Sequence, residues 1–258
     1  MVDFGLVSII TPSFNCSRFI SKTIESIQAQ TYSNWELIIT DDCSTDESIN
    51  VIQSFIERDN RIKLFRLKEN SGAGVARNNS IKAATGRYIA FCDSDDCWFP
   101  EKLEKQLSFM NKENCSMSYT SYMTCTEDGL TNGIVVCRNR ETFGSTLRDD
   151  KIGCLTLIYD TEKVGKVFMP ILRKRQDWAL KLLLLKKCSE AFGLKEPLAY
   201  YRICQNSISR NKFDLIKYNI AVYRNICGWN AIKSYLYFSF IFLPSYTFKR
   251  VILKIINQ

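Results

Sequence analysis

A chain of 258 residues, 46% hydrophobic and 24% charged, can bury a full core and is neither disordered nor polytopic in a membrane. It contains no histidine, which excludes a Ser/His/Asp triad, a Cys/His dyad and any histidine metal ligand, so any chemistry must rest on carboxylates and a hard metal. The eleven cysteines, from Cys16 to Cys227 with no CxxC pair, read as free thiols, and MVDFGLVSII lacks the basic region and length of a signal peptide, so a cytoplasmic protein is expected.

The first 92 residues alternate between two periodicities. Val7 to Thr11 is a β-branched strand, and Ser17 to Gln30 a helix with Phe19, Ile20, Thr23, Ile24 and Ile27 at helical spacing and Ser17 as the expected N-cap. Trp35 to Thr40 predicts a strand, Asp46 to Arg58 a helix, Ile62 to Leu67 a strand, Gly74 to Thr85 a helix and Tyr88 to Cys92 a fourth strand. Strands separated by helices imply right-handed crossovers, hence an α/β fold with a mostly parallel central sheet flanked by helices. In such sheets ligands bind beyond the carboxyl ends of the strands. Polar groups fall there three times: Thr11-Pro12-Ser13, Asp41-Asp42 and Asp93 to Asp96.

Each of these groups has two readings. Asp93 and Asp95 stand two apart after an apolar strand, as carboxylates do when they share a hard divalent cation carried in by a diphosphate; a solvated turn or a helix cap is the alternative. Of the acids after strand two, Asp46 is expected to cap the next helix, and the Asp41-Asp42 pair either caps as well or accepts from a nucleobase N–H. The stretch Asn70 to Ser80 (NSGAGVARNNS) is glycine-rich ahead of a helix, where backbone amides face phosphates, but it lacks the third glycine of a dinucleotide fingerprint. Arg77 is a helix-borne cation near the same rim, able to meet phosphate or base.

Beyond Pro100 the pattern loosens. Glu101 to Lys112 predicts an amphipathic helix, Ser116 to Tyr122 and Ile134 to Cys137 strands, and Asp177 to Lys187 an apolar helix opened by Asp177, an acid well placed at a helix N-terminus. Tyr200-Tyr201-Arg202 with Ser207-Ile208-Ser209 reads as a solvated loop. The formal charge of +8 is concentrated at the end: Arg210, Lys212, Lys217, Arg224, Lys233, Lys249, Arg250 and Lys254 face the single acid Asp214. These cations bracket an apolar aromatic run, Tyr235 to Leu243, too short to span a bilayer. That arrangement suits an anionic membrane surface better than a nucleic acid; a terminal helix packed on the core is the alternative.

In order, the pieces VSIITPSFN, SIQAQTYSNWELIITDDCSTDES, NSGAGVARNNSIKAATGRYIAFCDSDDCWFPEKLEKQ and, more weakly, KRQDWALKLLL and YYRICQNSIS resemble the family 2 glycosyltransferases. The resemblance implies a GT-A-type nucleotide-binding domain over residues 1–209, with its nucleotide-sugar half at 1–110 and its acceptor half at 111–209, and a C-terminal helical, membrane-associating extension at 210–258. It implies an inverting transfer from a UDP-sugar to a lipid-linked saccharide acceptor at the inner face of the cell membrane, in O-antigen or capsule assembly. Thr11, with Pro12 beside it, and Asp42 would hold the uracil, and Arg77 would lie nearby. Asp93 would touch ribose or sugar, Asp95 and Asp93 would hold Mn²⁺ or Mg²⁺, and Asp177 would be the general base. The chain departs from many relatives at Cys204 and Gln205, where a histidine is often found. Two rivals are a catalytically inactive membrane-bound nucleotide-binding module and a phosphatase using Asp93/Asp95; the phosphatase would want Thr or Val where Cys97 stands.

Overall fold

The computed structural model describes residues 2–204 and 212–245. Ser207, Ile208, Ser209, Gln205, Arg210, Lys249, Arg250 and Lys254, which figured in the sequence reading, lie outside the described residues.

Strands β1 (Val7–Ser13), β2 (Trp35–Asp41), β3 (Ile62–Arg66) and β4 (Tyr88–Phe91) alternate with helices α1 (Ile20–Gln28), α2 (Ser48–Ile56) and α3 (Ala73–Ala83). They pair in the order β3-β2-β1-β4, all parallel as expected. The two-residue period of each strand divides the core. Val7, Ile9, Leu37, Ile39 and Ala90 pack under α1 and α2 with Ile20, Ile24, Ile27 and Ile52. Ile10, Ile38, Ile89 and Phe91 point the other way, against Ile81 and Ala84 on the α3 side. Burial on both faces explains why these strands read as continuous apolar runs.

The second half follows with β5 (Cys97–Trp98), α4 (Lys102–Lys112), β6 (Met117–Cys125), β7 (Thr131–Val135), β8 (Arg140–Thr142) and α5 (Phe143–Arg148). Then come β9 (Ile158–Asp160), α6 (Thr161–Val164), α7 (Gln176–Cys188) and β10 (Glu190–Arg202). They continue the sheet as β4-β9-β6-β10-β5, with β7 on β6 and β8 on β10. Here the sheet is mixed: β6 and β10 run parallel, and the remaining pairings are antiparallel.

Three local expectations change. Strand β7 ends at Val135, short of Cys137. Ser17 does not cap α1, which starts at Ile20; its N–H donates to Asp46 Oδ2 at 3.0 Å instead. Tyr200-Tyr201-Arg202 is not a solvated loop but the end of β10. That strand hides in the sequence because Gly193, Lys195, Glu196 and Pro197 break its alternation, and the register with β6 slips on both sides of Pro197. Gly193 is required there, since a Cβ would stand 1.8 Å from the Arg138 carbonyl oxygen. Asp46 precedes the N-cap residue, Glu47, and from there accepts the Ser48 N–H at 3.0 Å. All eleven cysteines are free.

Helices α8 (Lys212–Cys227) and α9 (Ala231–Tyr237), with a π turn over Phe238–Phe242, pack against α7. Phe238 and Phe242 are buried there, and Phe242 lies 6.0 Å from the Trp178 ring. Ile232, Tyr235, Leu236, Phe240, Ile241 and Leu243 are exposed. The aromatic run therefore divides its two faces between the core and the outside. No helix among the described residues is long and apolar enough to cross a membrane.

A lysine unpaired among the described residues lies beside Trp98 in the core on the α1 side of the sheet. Lys102 is fully buried, with Gln106 Oε1 at 2.8 Å and the Trp98 ring at 4.2 Å, and burial pushes its pKa from 10.5 down to about 7. The folded chain thus holds this proton less tightly than the unfolded chain, so between about pH 7 and 10.5 stability rises with pH. Lys102→Met is expected to melt higher than wild type at pH 7, by a margin that shrinks as the pH approaches 10. Thermal melts of both proteins across that range check this; a margin independent of pH would show that Lys102 does not titrate within the fold.

Candidate active site

The carboxyl ends of β1, β2 and β4 bring the predicted groups to one rim. Thr11 and Pro12 lie in β1, with Pro12 in register beside Thr40 of β2. The Thr11 hydroxyl is buried and has no hydrogen-bond partner. Asp41 and Asp42, adjacent in sequence, have separate tasks. Asp41 accepts from the Ser13 hydroxyl at 3.2 Å and from the Ser44 N–H at 2.9 Å, closing the strand end. Asp42 accepts the N–H groups of Ser71 and Gly72, each at 2.7 Å, and so ties the glycine-rich loop to β2. Two of the amides expected to face a phosphate are therefore committed to a carboxylate. Gly72 sits at φ +93, which its lack of a side chain permits.

The acids after β4 are held by three elements. Arg77 of α3 reaches Asp93 Oδ1 through Nη2 at 2.5 Å. Burial of the guanidinium opposes its charge, but Asp93 outweighs that and raises the Arg77 pKa. Thr23 of α1 donates its hydroxyl to the carbonyls of Ser94 and Asp96, at 3.0 and 2.8 Å. Arg202, at the end of β10, gives its backbone N–H to Asp96 Oδ1 at 2.9 Å and its Nε–H to the Asp95 carbonyl at 2.8 Å. Its Nη1 continues to the carbonyls of Glu127 and Thr126, at 2.8 and 3.2 Å, and its guanidinium lies 5.0 Å from the Phe19 ring.

Within the turn, Asp96 is buried and bound to the backbone, so it serves the fold. Asp95 is different. Burial, and then the Asp93 charge, raise its pKa, and the Cys204 thiol approaches Oδ2 at 3.6 Å. Among the described residues no three His, Cys, Asp or Glu side chains form a metal cage. Two carboxylates with excess negative charge between them nevertheless fit Mg²⁺ or Mn²⁺, which take few protein ligands when a diphosphate supplies oxygens.

Asp177 lies in the first turn of α7, close to this rim. Helices α3 and α7 meet at their N-termini, where a Cβ on Gly74 would stand 3.1 Å from Gln176 Cγ. The Asp177 side chain is 36% exposed, and Oδ2 pairs with Lys181 Nζ at 3.2 Å, one turn along the helix. Lys181 is buried and also binds Asp150 Oδ2 at 2.5 Å and the Ile152 carbonyl at 2.7 Å. Burial works against the Asp177 charge, but Lys181 and then Arg77 outweigh it and hold the pKa at about 2. Arg77 therefore bears on both Asp93 and Asp177, and Cys154 shares their surroundings.

Sequence reasoning missed Thr23, Asp150, Cys154, Lys181 and Arg202. Only Lys181 carried a local signal, as a lysine four residues after an acid inside an apolar run.

Known proteins similar to this chain identify its family and fold type. The family described as "Glycosyl transferase family 2" matches residues 8–161. TuaG of Bacillus subtilis, named provisionally as a teichuronic acid biosynthesis glycosyltransferase, is 46% identical over 89% of this chain and 91% of its own length. The Escherichia coli UDP-Glc:alpha-D-GlcNAc-diphosphoundecaprenol beta-1,3-glucosyltransferase WfgD is 40% identical over 84% of each chain. Among solved structures, Staphylococcus aureus TarS 1-349 in complex with UDP-GlcNAc superposes with a TM-score of 0.70 at 19% identity, over 91% of this chain and 73% of that one. The mannosyltransferase PcManGT of Pyrobaculum calidifontis, in complex with GDP-Man and Mn²⁺, gives 0.65 at 14% identity, over 90% and 69%. The fold is of the GT-A type, and with the family match spanning the rim acids, this chain belongs to glycosyl transferase family 2.

Proposed function

We propose that this chain is an inverting, metal-dependent hexosyltransferase that moves a sugar from a UDP-sugar to a hydroxyl of a saccharide carried on a polyprenyl diphosphate, in the assembly of a surface polysaccharide such as O-antigen or capsule. The observation that carries the reading is Asp177: a partly exposed carboxylate, kept ionised by Lys181 and Arg77, beside the rim where Arg77 also grips Asp93. The names of WfgD and TuaG support the acceptor and the pathway class, and the TarS complex supports a uridine nucleotide.

On this reading Thr11, with its unpartnered hydroxyl, and Asp42 meet the uracil, and Pro12 and Arg77 lie beside them. Asp93 meets ribose or sugar, and Asp95 with Asp93 holds Mn²⁺ or Mg²⁺. When bound, the ion neutralises charge gathering on the departing diphosphate. Asp177 takes the proton of the acceptor hydroxyl as that oxygen bonds to the anomeric carbon, on the face opposite the breaking bond to UDP. An α-linked donor then gives a β-linked product.

The function is tested by the thermal midpoint of the protein with UDP, GDP or CMP, each with Mn²⁺ and with EDTA. UDP at 100 times its dissociation constant is expected to stabilise the fold by about 2.7 kcal/mol, only when the ion is present. No response to any nucleotide would overturn the reading.

The acceptor's lipid supports peripheral binding at the cytoplasmic face of the membrane through the exposed apolar face of α9 and the π turn. The double variant Ile232→Ser, Phe240→Ser alters two exposed residues and leaves Phe238 and Phe242 in place. It is expected to bind vesicles of anionic lipid at least ten-fold more weakly in sedimentation, because each large apolar side chain entering the interface contributes about 1.5–3 kcal/mol.

A further inference from the structure

Two tyrosines outside the nucleotide half connect the rim acids to the partners of Asp177. Tyr201 is the penultimate residue of β10, and the N–H that follows it, from Arg202, is the one given to Asp96 Oδ1 at 2.9 Å. The alternation of the strand turns Tyr200 onto Phe99, with ring centroids 4.5 Å apart, and Tyr201 onto Tyr122 of β6, at 6.0 Å and an angle of 64°. Tyr122 also lies against Gly153, where a Cβ would stand 2.9 Å from Cε1 of the ring. One residue earlier, the Ile152 carbonyl accepts from Lys181 Nζ at 2.7 Å, and Lys181 in turn pairs with Asp177. A line of contacts thus runs from the Asp93–Asp96 turn, through the two rings, to the candidate base.

Neither tyrosine is spent on the core. Tyr201 is 38% exposed and Tyr122 is half-buried. Among the described residues neither phenol hydroxyl has a hydrogen-bond partner, and the Tyr122 hydroxyl is open to solvent. Burial, and then the charges of Asp96, Asp93 and Asp95, raise the Tyr201 pKa; burial raises that of Tyr122, against the pull of Lys181. Both therefore stay neutral phenols, able to donate and to accept. Phenylalanine would fill the same space, so the hydroxyls serve something other than packing. Aromatic surface with free hydroxyls, set between carboxylates, suits a sugar: its apolar C–H face lies on a ring while its hydroxyls meet the polar atoms.

The order of the sheet, β3-β2-β1-β4-β9-β6-β10, distinguishes the two sugars of the reaction. The residues read as meeting the nucleotide stand on β1 and β2, on one side of the turn after β4; the tyrosines stand on β6 and β10, on the other. An inverting displacement brings the acceptor in from the side away from the departing UDP. We propose that Tyr201 and Tyr122 form the acceptor subsite, in which the Tyr201 ring carries the apolar face of the accepting sugar and the Tyr122 hydroxyl binds one of its hydroxyls, turning the attacking oxygen towards Asp177. The proposal rests on the reading above, that a UDP-sugar donates to a phosphate-linked saccharide.

The test uses Tyr201→Ala, which removes the ring, Tyr201→Phe, which keeps it, and Tyr122→Phe, which removes only the hydroxyl. The probe is N-acetylglucosaminyl diphosphate carrying a short alkyl chain, titrated calorimetrically into the UDP-saturated protein with Mn²⁺. Tyr201→Ala is expected to bind the probe about ten-fold more weakly or worse, and Tyr201→Phe to restore most of that affinity. Tyr122→Phe is expected to cost about three-fold or more, the scale of one hydrogen bond. All three variants are expected to bind UDP like wild type, which also shows that they fold. If Tyr201→Ala bound the probe like wild type, or lost affinity for UDP instead, the acceptor subsite would be overturned. A wild-type protein that binds UDP but not the probe would overturn it too, whereas failure to bind UDP at all would strike the underlying reading instead.

Discussion

Asp177→Asn is expected to lower turnover by ~10²–10⁴, the usual scale for removing a general base, and to leave UDP binding unchanged. The side chain is nearly isosteric, and an amide oxygen still accepts from Lys181, now 3.2 Å from Oδ2, so α7 keeps its place. What disappears is the proton acceptor. Loss of UDP affinity in this variant would make Asp177 a structural residue; an unchanged rate would support the inactive binding module. The same network sets the pH response. Lys181 and Arg77 hold the Asp177 pKa at about 2, so the carboxylate of the free protein is ionised throughout the range in which the fold is handled. Depression of a carboxylate pKa in the fold contributes stability above the unfolded value of 3.8, and this is lost as the pH falls towards 2. Lys181→Met removes the larger of the two attractions, and the acid limb of kcat/KM should move to higher pH. Initial rates across the acid range, with and without that substitution, measure the shift.

Asp95→Asn is expected to abolish the ion-dependent stabilisation by UDP, about 2.7 kcal/mol in wild type at 100 times the dissociation constant, while the protein alone melts no lower than wild type. The sign follows from the environment of Asp95. Burial and the Asp93 charge raise its pKa, so the folded chain holds this proton more tightly than the unfolded chain. From the unfolded value of 3.8 up to the raised one, stability falls as pH rises, and at neutral pH the buried charge weakens the fold. Asparagine removes that charge and with it a ligand, trading function for stability. Thermal melts with UDP and Mn²⁺, with UDP and EDTA, and without either separate the two effects. If Asp95→Asn responded to UDP and Mn²⁺ like wild type, Asp95 would not hold the ion.

The sequence by itself determined the nucleotide half of the fold. The strands β1, β2 and β4 are short apolar runs buried on both faces, the helices between them carry isoleucines at 3.6-residue spacing, and both periods are local properties of the chain. The rim acids were legible for the same reason, since Asp42, Asp93 and Asp95 follow directly from the ends of those strands. Tertiary structure decided what each acid does. Asp41 and Asp96 are indistinguishable as letters from catalytic carboxylates, and only their partners mark them as closing a strand end and anchoring a turn. Arg202 looked like a loop residue because its partners, Asp95 and Asp96, lie more than a hundred positions away. Strand β10 escaped notice because pairing with β6, β8 and β5 outweighs the poor strand propensity of Gly193 and Pro197. The ionisation of Asp177 depends on Lys181, whose own charge is balanced by Asp150 from another part of the chain. Periodicity and spacing are written along the chain; charge pairing and buried hydrogen bonds arise only when distant segments meet out of water.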